Sequence, residues 1–508
     1  MAGTVVGDGY QVVGEAPCAV GEVSLVSVLA CSFKLRADRR DLLIPKKSGA
    51  EAPCKLKLAP RGRRGGMILR LFCLALPLMA ADLRVATFEA DVTPRVGEPV
   101  AYVAARSIED PLSARGVVLL GAGKPIVLCA VDYIGIANDG NDVWRERLAT
   151  AAGTTADRVA VHTLHQHDAP RYDRTAALLL KNAGLDGRVF SEEMTMRGLE
   201  ATVAAVRASL GKAQRVTAIG HGKAKVERVA SNRRILGEDG NVKIGRMSAS
   251  RNPEAIAAPE GTIDPYLQVL SFWNGEKPVA VLTYYATHPQ SYYGKGDVTA
   301  EYVGLARAQR ERELPGVPHV HFNGAAGNVA AGKYNDGSPA NRPVLTGRLA
   351  AGMKAAWENT KKMPVPREVE WRVEPVVLPA RVPASRADLE KTLADGGAKF
   401  ESRRSAATQL SWLKRVEERR AIGLACLRLG NLYVLHMPGE LFVEYQLAAQ
   451  KMRPESMVLM AAYGDYGTGY IGTAVAYGQG GYEVGPNASL VTPEVEEVLM
   501  GGMRRLLR

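Results

Sequence analysis

The sequence predicts an α/β fold, a mixed sheet core flanked by helices in one large domain over residues 82–508, and three observations predict it. Short apolar runs rich in Val, Ile and Leu recur along the chain, as buried strands require. The segments between them carry apolar residues at helical spacing. No repeat, low-complexity tract or long Ser/Gly linker interrupts the series. Such alternation favours a parallel or mixed sheet covered by helices.

In chain order the strand candidates are GVVLLGA (116–122), PIVLCAVDY (125–133), RVAVHTLH (158–165), PVAVLTYYATH (278–288), HVHFNGA (319–325) and NLYVLHMPG (431–439). Helical patterns fall at 191–210, 301–313, 343–360 and 441–452, with a last one at 493–508. Residues 385–420 stand apart. Ser385, three before Asp388, opens a weak capping box, and Gly396 with Gly397 breaks the pattern. The expectation is a surface helical hairpin whose charges form a solvated face and carry no chemistry.

The segment from Met67, MILRLFCLALPLMAAD, has a single positive charge at Arg70, an apolar run from Leu71 to Met79 and small residues at Ala80 and Ala81. That is the pattern of a signal peptide over 67–81. The run is too short for a permanent membrane span, and Cys73 lies inside it, not at a lipoprotein cleavage position. Two readings of residues 1–66 stand. Either translation begins at Met67 and the earlier residues are mis-assigned, or a basic, poorly ordered extension precedes an apolar core segment. The first implies a secreted or periplasmic protein with no transmembrane anchor in its mature chain.

A hydrophobic fraction of 46% and a charged fraction of 23% suffice for a sizeable core and exclude wholesale disorder. The net charge of +12 does not imply nucleic-acid binding. Half of that excess falls in residues 1–81, and the rest of the chain has no basic block interleaved with aromatics. Beyond residue 81 only Cys129 and Cys426 remain, both in apolar runs that suit buried thiols. Their spacing leaves pairing open and implies no disulfide framework.

VHTLHQHDAP holds His162, His165 and His167, three of the chain's 8 histidines. On a strand, residues two apart share a face, so His165 and His167 converge while His162 turns away to a core position. A metal or catalytic role follows for the pair. A hydrolytic zinc site needs three or four donors from separate elements and an open position for water. His288 ends a strand candidate before Pro289, and Glu440 follows LHMPG in the same way. Taken singly, each such residue is usually structural.

Together these motifs resemble the ordered signature of the neutral, non-lysosomal ceramidases. The carriers are LHQHDAP at His165, THPQS at His288, PGELF at Glu440 and GYIGTAVAYGQGGYE over 469–483, with ADVTPRVG (90–97) and DPLSARGVVL (110–119) upstream and Asp132 ending PIVLCAVD. The resemblance runs from about Val85 to the last residue. It implies zinc (Zn2+) held by His165, His288, Glu440 and Tyr470, which activates water and polarises an amide carbonyl. It also implies His167 and Tyr482 as oxyanion donors and Arg233 as a contact to the substrate's amide or acyl group. Gly327 and Asn328 fall in the loop that binds substrate in the family.

Two departures qualify what the resemblance implies. In FNGAAGNVAAG, Asn328 stands where the family has an acid and Ala330 where it has a serine. The chain ends 38 residues after Tyr470, so the expectation is a catalytic domain without the family's C-terminal immunoglobulin-like domain. The leading expectation is a zinc amidohydrolase acting on an N-acyl lipid or another small amphiphile, ceramide first. An esterase using the same centre, and a non-catalytic ligand-binding homologue that kept the zinc site, are the alternatives.

Overall fold

The computed structural model describes residues 82–508; the segments at 1–66 and 67–81 lie outside the described residues. The core is mixed α/β, as the alternation predicts, but its strands divide among three main sheets instead of one. The first sheet runs Val159–Thr163, Ile126–Val131, Ser113–Leu120, Arg84–Asp91, with a short edge at Gln214–Arg215. In the second, the order is His319–Asn323, Lys277–Tyr285, Tyr266–Asn274, Ala218–Lys225, Lys361–Pro364. The third has Val369–Val376, Ile422–Leu429, Leu432–His436 and Met457–Ala461.

Each sheet is antiparallel except for one parallel pair at one edge. These pairs are 126–131 with 159–163, 277–285 with 319–323, and 432–436 with 457–461. The three parallel edges meet at their carboxyl ends. Thr163 N–H donates to the Tyr463 carbonyl at 3.0 Å, and Ala462 N–H to that of Asn323 at 3.0 Å. Asn323 N–H in turn donates to His162 Nε2 at 3.0 Å, and its side chain to the Leu164 carbonyl at 2.7 Å. His162 is thus the core histidine expected, buried and spent on tying two sheets together. Loops leaving parallel strands at their carboxyl ends are where α/β folds assemble sites, because backbone polar groups and side chains converge there.

Helices cover the outer faces. Asp139–Ala152 and Glu192–Leu210 pack on the first sheet, where Trp144, Leu148, Leu199 and Val203 are buried against Val118, Val127 and Val161. The second of these starts at Ser191, whose hydroxyl accepts from Met194 N–H and so satisfies one of the end's free donors. Glu301–Glu313 and Asn341–Glu358 cover the second sheet, and Val443–Met452 with Val495–Leu506 the third. Among the described residues Cys129 and Cys426 are buried and unpaired. Among the described residues no helix is long and apolar enough to cross a membrane.

The 385–420 segment forms two helices, Arg386–Ala394 and Phe400–Glu417, separated near the expected glycines. It is more than a solvated appendage. Ala406, Ala407 and Leu410 pack with Ala176, Leu180 and Phe190 in a core of their own. Trp412 is buried and donates its indole N–H to the Leu490 carbonyl at 3.0 Å.

Candidate metal centre and its pocket

The strand carrying the histidine motif stops at Thr163, so strand alternation is not what brings His165 and His167 together. His165 instead takes a left-handed backbone conformation, φ 67°, in the loop beyond the strand. A non-glycine residue in that region is uncommon and is held here by neighbours. Its N–H donates to the Tyr133 carbonyl at 2.8 Å, and its Nδ1 lies 2.7 Å from the Ile134 carbonyl. His288 is fixed in the same manner, with Nδ1 2.6 Å from the Ala326 carbonyl. A ring nitrogen facing a carbonyl oxygen carries the proton, which leaves both Nε2 atoms as bare lone pairs.

Those lone pairs face a carboxylate. Glu440 Oε2 lies 2.9 Å from His288 Nε2 and 3.3 Å from His165 Nε2. Two lone pairs and an anion crowded together repel one another unless a cation or a proton lies between them. Ligands of a tetrahedral zinc at about 2.0–2.2 Å stand roughly 3.3–3.6 Å apart, close to the separations found. Tyr470 stands beside this group. Glu440 and Tyr470 are opposite each other in a short parallel pair, and the Tyr470 hydroxyl is 3.5 Å from His288 Nε2. The donor chemistry therefore fits a metal ion, with His165, His288 and Glu440 the buried group able to hold one.

The segment bearing Glu440 is closely fitted. Gly439 has φ 62°, and a Cβ there would lie 2.4 Å from Thr468 Oγ1 and 2.7 Å from the Gly469 carbonyl oxygen, so only glycine serves. Gly327 abuts the carbonyl of Glu440, where a Cβ would come within 2.2 Å of the oxygen. Asn328 accepts from Val443 N–H at 2.9 Å and donates to Glu444 at 2.9 Å. Gly327 and Asn328, expected to bind substrate, thus stand behind Glu440 and support it; neither lines the cavity in front.

Electrostatics follow from burial and from these neighbours. Burial alone would raise the Glu440 carboxyl, but the attraction of a proton carried on the His165 or His288 ring outweighs it and holds the carboxyl well below the carboxylate range; a metal cation in the same place would act in the same sense. Burial lowers the imidazole of His288, and the nearby Glu440 offsets this in part. His167 is lowered well below its usual value by burial and then by His165 and His288. An ionised Glu440 and a His288 inclined to its neutral form are the states that metal binding requires.

His167 Nε2 lies 3.1 Å from His165 Nε2, and its Nδ1 2.5 Å from the Tyr102 hydroxyl. Tyr482 is exposed at the mouth, its ring edge-on to Tyr470 at 5.8 Å. Arg233 is buried deeper than a substrate contact requires. Its guanidinium sits 3.1 Å from Glu483 and donates to the Tyr470 hydroxyl at 3.1 Å. Burial lowers its pKa less than Tyr470 and Glu483 raise it, so it stays charged.

The motifs do not point to several further residues. Tyr466 donates to Glu440 Oε1 at 2.5 Å, and Tyr293 sets its ring 4.8 Å from that of His167. The density of Tyr463, Tyr466 and Tyr470 within eight residues was a signal for the first; nothing local marks Tyr102 or Tyr293. In front of the centre lies a cavity of about 260 Å³ lined by His167, Glu440, Tyr470 and Tyr482, and also by Arg171 and Arg404.

Fold and centre together define a class, a mixed α/β domain built around a buried candidate metal site of two histidines, a glutamate and a tyrosine. No family model matches the sequence, and no curated protein matches it. Among solved structures the fold is that of the neutral ceramidases. A ceramidase complexed with C2 matches with TM-score 0.62 at 16% identity, over 84% of this chain and 75% of that one. The neutral ceramidase from Pseudomonas aeruginosa matches with TM-score 0.61 at 18% identity, over 84% and 74%. The chain is neutral-ceramidase-like in fold, in agreement with the motifs.

Proposed function

We propose that this protein is a zinc-dependent hydrolase of N-acyl amide bonds, with zinc held by His165, His288, Glu440 and Tyr470. The observation that carries the proposal is the pair of imidazole lone pairs facing one carboxylate oxygen at the floor of a cavity. Zinc in such a place supplies a Lewis acid for the carbonyl and lowers the pKa of water. The protein's own groups do the rest. A phenol keeps its proton at neutral pH, so Tyr102 donates to His167 Nδ1 and leaves the His167 proton on Nε2, directed at the donor cluster. That N–H, with the Tyr482 hydroxyl, can stabilise an oxyanion, each donor contributing roughly 3 kcal/mol. Arg233 acts through Tyr470, fixing its hydroxyl while Glu483 balances the charge.

The substitutions Asn328 and Ala330 motivated a reading without turnover. Both lie outside the cavity's lining, which leaves that reading without support from the pocket. Ceramide is the first candidate by likeness of fold, and an ester carbonyl would meet the same groups. Export through segment 67–81 belongs to the proposal as well.

The test is metal content together with turnover of a fluorogenic panel of N-acyl amides and matched esters. One zinc per chain is expected, and His165→Ala should lose the metal and reduce kcat/KM more than about 10³-fold. Stoichiometric zinc without turnover of any amide or ester would favour a binding protein. Absence of bound metal after zinc loading would sink the centre itself.

A further inference from the structure

Arg171 and Arg404 both face the cavity, and among the described residues the side chain of neither makes a hydrogen bond or an ion pair. Arg171 follows the histidine motif on the short strand Arg171–Asp173, and Arg404 comes from the helix Phe400–Glu417. Both are half-buried, and Arg171 Nε is fully shielded from solvent without a partner. Other arginines shielded from water have partners: Arg115, Arg307, Arg342 and Arg415 each contact a carboxylate, and Arg158, Arg246, Arg381 and Arg403 donate to backbone carbonyls. Burial, and then the charge of Arg171, lower the pKa of Arg404, so the two guanidiniums are near enough to repel.

The cavity's carboxylates do not answer them. Glu440 belongs to the donor cluster. Asp173 receives Asn138 Nδ2 at 2.8 Å, the Ser411 hydroxyl at 2.7 Å and Ala176 N–H at 3.0 Å. Two uncompensated guanidiniums held together against repulsion make a site for an oxyanion, which each can bind through two parallel N–H donors. The cavity's volume, about 260 Å³, lies just under the range of about 300–1,000 Å³ usual for small-molecule sites, so a compact acidic group fits and a long chain must leave through the mouth.

We propose that the substrate is an amide bearing an acidic group, in the manner of an N-acyl amino acid, whose carboxylate is clasped by Arg171 and Arg404. The proposal rests on the hydrolase reading for the reaction and on the pocket alone for recognition of the anion. A neutral lipid amide lacks the group these arginines bind.

Two measurements on the zinc-loaded full chain test it. The first compares kcat/KM for N-octanoylglycine, N-octanoyl-O-phosphoethanolamine and neutral N-octanoylethanolamine. The second compares calorimetric binding of N-octanesulfonylglycine with that of its glycinamide, a pair with no carbonyl amide at the acyl position to cleave. The carboxylate should lead its neutral counterpart by about 10- to 100-fold in both, the size of a charge-assisted contact. Arg404→Met and Arg171→Met should each cut that ratio about 10-fold. Preference for the phosphate over the carboxylate would keep the anion site and overturn the amino-acid assignment. A ratio near one in the unaltered protein, or one unmoved by either variant, overturns the proposal whether or not a variant folds poorly. Selective binding without turnover of any amide would sink the hydrolase reading and leave the anion site standing.

Discussion

Arginines stand on two sides of the candidate centre, in opposite states. Arg233 is 2% exposed and matched by Glu483 and the Tyr470 hydroxyl, while Arg234 also reaches Glu483 at 3.4 Å. Arg171 and Arg404 are half-buried and have no such match among the described residues. A fully buried charge must be neutralised within the fold, because desolvation costs more than the fold can leave uncompensated. A half-buried one can wait for a ligand. The first side is therefore scaffold for Tyr470, and the second is available for recognition.

The largest effect expected from this contrast is on stability. Glu483→Ala strands the Arg233 charge in the interior and should cost about 3–5 kcal/mol. Arg404→Ala removes no partner and relieves repulsion from Arg171, so it should change stability by less than about 1 kcal/mol in either direction. Urea denaturation of both variants checks the pair. Equal costs would erase the distinction between the two sides.

The paired side was legible in the sequence and the unpaired side was not, for a physical reason. Glu440, Tyr470, Tyr482 and Glu483 lie in two short motifs whose spacing is set by one parallel strand pair and the turn after it. Local chain geometry fixes such spacing, so the residues could be named in advance. Strand and helix positions were legible for the same reason, since apolar periodicity reports burial. Arg171 and Arg404 are 233 positions apart and reach one cavity only because the 400–417 helix packs on the Arg174–Asn182 helix that follows Arg171, a contact that no local pattern records. The charges of that helix read as a solvated face because nothing in the sequence distinguishes an arginine facing a cavity from one facing bulk water. His165 was named as a donor candidate for a reason that failed. Its left-handed backbone, and not strand alternation, turns the ring toward Glu440.

The carboxylates repeat the contrast and sharpen it. Burial would raise the pKa of Asp132, but Arg307 outweighs this and holds it down at about 2. Burial raises Asp173 to about 6, with Asp465 adding to the rise, and its neutral donors compensate only in part. Between about pH 4 and 6 the folded protein therefore holds a proton on Asp173 that the unfolded chain releases. A carboxyl raised in the folded state contributes stability that is present below its unfolded pKa and lost as pH climbs through its folded one. The shift from 3.8 to about 6 corresponds to about 3 kcal/mol. Relative to Asp173→Asn, the unaltered protein should gain about 2 kcal/mol of that on going from pH 7 to pH 4, measured by denaturation at each pH. A constant difference across the window would remove Asp173 from the account. Asp132 must behave in the opposite sense, its contribution lost only as pH falls toward 2.

Salt should give the smallest effect and the most selective one. Screening reaches charges that water can approach, with a Debye length of about 10 Å at 0.1 M and about 3 Å at 1 M. Arg171 and Arg404, half-buried at an open cavity, fall within its reach, whereas the Arg233–Glu483 pair is sealed from solvent. Raising NaCl from about 0.02 M to about 0.5 M should therefore raise KM for N-octanoylglycine several-fold and leave KM for N-octanoylethanolamine nearly flat. The contrast between substrates matters because salt can also strengthen apolar binding, which both acyl chains share. Stopped assays at four salt concentrations suffice to separate the two. If both KM values rise together, the arginines act on the protein's general field and not on the substrate's acidic group. If only the acid's KM rises, and Arg404→Met flattens the slope, the unpaired side of the pocket is where the anion is recognised.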